Sequence, residues 1–178
     1  MKQNILRLLP FVLLGLSVQL WAQTPGEDVV WPRIQEFTWM DQNYLAKQKQ
    51  FIDDMVGTEF GRPVRGDKSD LRLLQRIVNR GLIEKTAAEN LQALGAVLGD
   101  VYVHEFDVLE WRIYEDQKGR SRAVCILDTS NCLFPITMLS RRIEAGLTPD
   151  VEAIYDKGVE AITPYLPKTP FSATNPRR

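Results

Sequence analysis

The chain has 178 residues, with 22 basic side chains against 23 acidic ones, one histidine, and a formal charge of −1. That near balance excludes the basic footprint that nucleic acid requires and the polybasic patch that a lipid surface requires. A structural zinc site draws four ligands from Cys and His, and two cysteines with one histidine do not supply them.

Met1 to Arg7 carries Lys2 and Arg7 and no acid, and Leu8 to Trp21 is apolar apart from Pro10, Gly15, Ser17 and Gln19. Small Ala22 closes the run. This order is that of a secretory signal peptide cut after Ala22, which makes 1–22 a leader. The alternative is retention as a membrane anchor, but a span takes about 20 apolar residues and this run is shorter. No cysteine near the cut offers an attachment atom for lipid. Cleavage leaves 178 less 22, or 156, residues, the size of one domain. The leader takes two of the 22 bases, so 20 stand against 23 acids, a charge of −3.

Residues 23–36 are expected to form a flexible lead-in, given Pro25 and Gly26. A single domain is then expected over 37–163. Its first helix is predicted over 37–56, with Thr38 and Asp41 as a capping pair and Gly57 as the stop. A loop holding Gly61, Pro63 and Gly66 precedes a second helix over 70–80. Ser69 is its expected cap, Gly81 its stop, and Leu71, Leu74, Ile77 and Val78 its inner face. Thr86 and Glu89 have capping-box spacing for a third helix, whose stripe is Leu91, Leu94, Val97, Leu98 and Val101.

After His104 the period changes to two. Leu109, Trp111 and Ile113 alternate with Glu110, Arg112 and Tyr114, which predicts a half-buried strand. A turn over 116–119, a strand over 122–127 and a short strand over 132–134 follow. Pro135 begins a fourth helix that Gly146 stops, and Thr148-Pro149-Asp150 caps a fifth whose inner face is Val151, Ile154, Tyr155, Val159 and Ile162. Residues 164–178 hold four prolines and are expected to lie extended. The fold class is α+β: helices packed on one face of a small antiparallel sheet of about three strands, with Trp111 between the layers.

Export permits a disulfide between Cys125 and Cys132. A two-residue turn at Asp128-Thr129 would place the two opposite each other at disulfide distance if they form a non-hydrogen-bonded pair. Against this, Asp-Thr suits poorly a turn that wants positive φ. Two buried free thiols are the alternative; redox catalysis is disfavoured because the spacing is not C-x-x-C.

Candidate ligand-site residues are Gly95, Gly99, Asp100, His104, Arg141 and Arg142. Gly95 and Gly99, four apart on one helix, either admit a close neighbour or line a ligand groove. His104, beside Glu105 and Asp107, is either an acid–base group or metal ligand, or a polar link between helix and strand. Arg141 and Arg142 either hold an anion or sit solvated. No metal site, nucleophile elbow or phosphate loop is present, and no catalytic residue or cofactor is assigned.

Leu91-Gln92-Ala93-Leu94-Gly95, Leu98-Gly99-Asp100, Trp111, Asp116, Gly119, Leu133-Phe134-Pro135, Met138 and Arg141 or Arg142 together resemble a bacterial family, domain of unknown function 3806. The resemblance runs from about Phe51 to Ile162. It implies an α+β domain in a bacterial protein and supplies no reaction. The reading is therefore an exported soluble protein of the periplasm, or of the extracellular space. Its expected role is a non-catalytic binding or interaction module, with another envelope protein as partner and no membrane span after cleavage. One alternative is an enzyme of unrecognised type using Asp100, His104, Glu105 and Arg142; another is an inhibitor or immunity-type protein for a secreted effector.

Overall fold

A computed structural model describes residues 31–167; the leader, its cleavage point after Ala22 and positions 168–178 of the Pro-rich tail lie outside that range. Within it the chain runs β1 (Arg33–Gln35), α1 (Trp39–Phe60), α2 (Ser69–Arg80), α3 (Ala88–Glu105), β2 (Leu109–Asp116), β3 (Gly119–Ile126), β4 (Cys132–Leu133), α4 (Pro135–Glu144), α5 (Val151–Ile162) and a 3₁₀ turn (Thr163–Tyr165). The class is α+β. Among the described residues no helix is long and apolar enough to cross a membrane.

The sheet has four antiparallel strands in the order β1-β2-β3-β4, one more than the alternation of the sequence suggested. The extra strand comes from the stretch expected to be flexible. Arg33 and Gln35 both reach Glu115 Oε2 at 2.7 Å, so polar side chains on alternate residues secure a strand with no apolar signature. At the other edge, β4 pairs through Val124 with Leu133 and Cys125 with Cys132.

Thr38 and Asp41 make the expected capping box, but α1 continues through Gly57 to Phe60 and stops at Gly61, φ 64°. A helix tolerates one interior glycine for about 1 kcal/mol. The extra turn places the Phe60 ring under the Arg76 guanidinium, 3.8 Å from the ring centre. Ser69 is the first residue of α2 rather than its cap, and the Asp67 carboxylate accepts the Ser69 N–H at 2.8 Å. The Thr86–Glu89 box is not made: α3 begins one residue later than that spacing requires, with Ala87 as its cap residue. Asp150 caps α5, accepting the Ala153 N–H at 2.9 Å, and Pro135 opens α4.

The centre of the molecule is α3, whose apolar stripe widens into burial on nearly all sides, with ten residues buried. The sheet covers it from one direction, through Leu109, Trp111, Val124 and Leu133, while α1 contributes Ile52 and Val56 and α2 contributes Leu71 and Leu74. A helix enclosed in this way needs small residues wherever a neighbour comes close. Gly95 and Gly99 serve that purpose.

Candidate functional site

An added Cβ at Gly95 would lie 2.3 Å from the Pro135 carbonyl oxygen and 2.5 Å from Ile136 Cα, so the start of α4 rests directly on this glycine. At Gly99 it would lie 2.1 Å from Trp111 Cζ2. Both glycines therefore accept protein, and the groove they were considered to line is filled by Pro135, Ile136 and Trp111.

Asp100 is likewise engaged. One carboxylate oxygen takes Lys49 Nζ at 2.7 Å and the other takes Trp111 Nε1–H at 2.9 Å, which ties α1, α3 and the sheet together. Glu105, its side chain 7% exposed, pairs with Lys68 at 3.1 Å. His104 is exposed on the turn after Asp100. Arg141 and Arg142 are exposed at the end of α4, where Arg142 donates to the Met138 carbonyl of its own helix. Arg142 thus stands on a different helix from Asp100 and His104. Among the described residues no group of three or more His, Cys, Asp or Glu could hold a metal ion.

The strongest charge cluster lies elsewhere and had no sequence signature. Asp41 is 1% exposed, and its carboxylate receives both Arg120 amino groups at 2.9 and 2.6 Å, Arg122 at 3.2 Å and the Thr38 hydroxyl at 2.7 Å. The Arg120 hydrogen bonds, with those from Thr38, hold this carboxyl far below the usual range despite its burial. The Arg122 guanidinium covers the Tyr44 ring at 3.8 Å, and the Tyr44 hydroxyl bonds Gln92 at 3.1 Å. The cluster fastens α1 to the sheet and to α3. Asp70, fully buried, accepts the backbone N–H groups of Arg65 and Gly66; burial raises its carboxyl, which those bonds only partly offset. Tyr102 stacks on Tyr155 at 4.8 Å and donates to the Tyr155 carbonyl at 3.0 Å. Burial raises both phenols.

Among the described residues, a concavity lies beside β4. It holds about 230 Å³ and is lined by Tyr114, Ser130 to Phe134 in succession, Ala161, Ile162 and Tyr165. That volume suits one or two side chains and is below the usual size of a small-molecule site. Tyr114 and Phe134 meet edge to face at 5.0 Å, and Phe134 and Tyr165 are 37% and 56% exposed. Five consecutive residues, among them both of β4, form one wall of it.

The register fixes what β4 offers to it. Leu127 N–H bonds the Val108 carbonyl on the β2 side, whereas Ile126 N–H bonds the Asn131 carbonyl on the β4 side. Backbone groups alternate along a strand, so the Asn131 carbonyl and the Leu133 backbone face β3 while the N–H and C=O of Cys132 point away from it. The same alternation makes Cys125 and Cys132 a non-hydrogen-bonded pair, as the sequence register required. Their Cα atoms are 4.0 Å apart and their sulfurs 2.07 Å apart. The connecting loop spans four residues rather than two, and Asp128 takes the positive φ, 58°, that an Asp-Thr turn resists. The Thr129 hydroxyl braces the loop by donating to the Ile126 carbonyl and accepting the Asn131 N–H.

Tyr165 lies in the stretch read as an extended tail, and nothing in the sequence joined it to Tyr114 or Phe134. Only the rare coincidence of exposed aromatic residues around a short strand could have signalled this groove.

Residues 70–155 match the model of a family described as Domain of unknown function (DUF3806). This bears out the resemblance carried by the α3 glycines, Trp111 and the Leu133-Phe134-Pro135 step, over a shorter stretch than Phe51 to Ile162. Among solved structures, a crystal structure at 1.50 Å of a protein from Bacteroides thetaiotaomicron VPI-5482 is similar, with a TM-score of 0.64 and 15% identity over 72% of this chain and 47% of that one. The chain thus spans about half the length of that protein, and at this identity the likeness is one of fold. No curated protein matches the chain.

Proposed function

With residues 70–155 matching a family to which no reaction is attached, we propose that the protein is an exported, non-catalytic binding module of the bacterial periplasm. Its ligand site is the β4 groove, and the ligand is an extended peptide segment of another envelope protein. The observation that carries this reading is the N–H and C=O of Cys132, turned away from β3, on a residue that lines one concavity with Tyr114, Phe134 and Tyr165. A free strand edge pairs with extended backbone, and flanking rings take alternate side chains of the incoming segment. The leader-like N-terminus and the facing cysteines support the export part of the reading.

Selection of random displayed peptides against the oxidised protein tests it. Selected peptides are expected to bind the wild type and to lose about tenfold in affinity, or about 1.4 kcal/mol, on Phe134→Ser. Peptides that bind Tyr114→Ala and Phe134→Ser as well as the wild type would refute the groove as the site.

A second reading has its own support. Trp39 and Met40, adjacent at the start of α1, are each 75% exposed, the kind of apolar patch that an inhibitor or immunity-type protein would present to an effector. That reading requires a stoichiometric complex that Trp39→Ser disrupts and Phe134→Ser leaves intact.

A further inference from the structure

We infer that the Cys125–Cys132 bond is a redox-sensitive latch on the wall of the β4 groove: closed, it holds Ser130 to Cys132 in place, and reduced, it lets that wall move. The latch rests on the groove being the working site, but its structural basis is separate. Beyond Asn131, β4 is attached to β3 by two residue pairs, Val124 with Leu133 and Cys125 with Cys132, and the second of these is the covalent one.

The loop that the bond closes carries one unfavourable backbone position. Asp128 sits at φ 58°, in the left-handed region that an Asp side chain adopts only at a cost. Asn131 gives its N–H to Thr129 within the loop rather than to β3. Opening the disulfide leaves this loop held only by its Thr129 hydrogen bonds and by the Ile126 N–H on the Asn131 carbonyl. Movement stops at Leu133, which is 5% exposed in the core, and at Pro135, whose carbonyl rests on Gly95. The mobile part is therefore 127–132, of which Ser130, Asn131 and Cys132 line the groove.

The two sulfurs are not equivalent. Cys125 is 1% exposed, whereas Cys132 is partly exposed and lines the groove. A dithiol reductant approaching through the groove meets Cys132. Its thiolate forms a mixed disulfide with Cys132 Sγ, and Cys125 departs as a thiolate that takes up a proton. The reductant's second thiol then displaces Cys132, which is released as a thiolate and protonated. The protein gains two thiols, and the dithiol, having lost two electrons, becomes a disulfide.

Amide hydrogen exchange on the full chain, oxidised and after treatment with dithiothreitol under native conditions, tests the latch. On reduction, exchange within 127–133 is expected to accelerate by about tenfold or more, while the β2–β3 amides over 110–124 stay protected. Iodoacetamide should then label Cys132 ahead of Cys125. The Cys125→Ser/Cys132→Ser variant should show the same local pattern; if that variant does not fold, the reduced wild type still decides. Unchanged exchange in 127–133 after reduction overturns the latch, and so does a bond that opens only when the whole protein unfolds. Failure to select any groove peptide would instead count against the peptide reading, and the exchange comparison would still judge the latch.

Discussion

Replacing Gly99 by alanine should destabilise the protein even though alanine is the better helix former. In an exposed helix the exchange gains about 1 kcal/mol. Here the new methyl would sit 2.1 Å from Trp111 Cζ2, 2.4 Å from Cη2 and 3.0 Å from Pro135 Cγ. Ordinary carbon contacts are about 3.5–4.0 Å, so the indole must retreat by roughly 1.5 Å or α3 must shift. Overpacking of this kind costs about 1–3 kcal/mol. A displaced indole also leaves the Asp100 carboxylate, now 2.9 Å from Nε1, and a hydrogen bond to a charged group contributes about 1.5–3 kcal/mol. Set against the propensity gain, the expected net loss is about 1.5–5 kcal/mol. Gly57→Ala is the matched control: it also lies within a helix, nothing lies within 4 Å of its added Cβ, and it should gain up to about 1 kcal/mol. Urea unfolding followed by far-ultraviolet circular dichroism measures both. If Gly99→Ala is as stable as the wild type, Trp111 does not require the glycine and the account of α3 as a helix notched for its neighbours is wrong.

The remaining predictions concern the charge cluster, the disulfide, the tyrosine pair and the leader. Asp41 has its carboxyl held below the unfolded value, so its stabilising contribution is present above about pH 4 and is lost as pH falls toward the folded value. Between about pH 5 and 2 the wild type should therefore lose stability more steeply than Asp41→Asn; parallel curves in acid denaturation would contradict this. Removing the disulfide, which links residues seven apart, should cost about 2.5 kcal/mol in the chain-entropy model, read as a lower urea midpoint for Cys125→Ala/Cys132→Ala than for the oxidised protein. Tyr102→Phe deletes the hydroxyl that donates to the Tyr155 carbonyl and should cost about 1 kcal/mol in the same assay. Protein recovered from a periplasmic fraction should begin at Gln23, and a sequence beginning at Met1 would refute cleavage.

What the sequence made legible was local. The α5 cap, Pro135 at the start of α4, the β2–β3 hairpin and the pairing of Cys125 with Cys132 depend on residues within a few positions of one another. Hydrophobic period and turn chemistry report such features directly. What it hid was distant or polar. Asp41 and Arg120 are 79 residues apart, and no pattern in either segment announces the other. Strand β1 carries two polar side chains on its three residues and closes the sheet by sharing Glu115, so periodicity passed over it. The α3 glycines were visible as an anomaly whose compensating partners were not, because Pro135, Ile136 and Trp111 approach from two directions in space. The groove gathers residues from β2, β4 and the end of α5, and its essential part, the outward N–H and C=O of Cys132, is backbone and leaves no mark on residue choice.

The stretch that matches the family model stops short of the stretch that completes the core. Residues 70–155 hold α2, α3, the β2–β4 strands and α4, but not α1, which brings Leu45, Ile52 and Val56 to the interior and sets Asp41 against Arg120 and Arg122. A fragment cut at those borders would expose one flank of its central helix and leave two arginines without their carboxylate. The matched stretch is thus smaller than the unit whose core is complete.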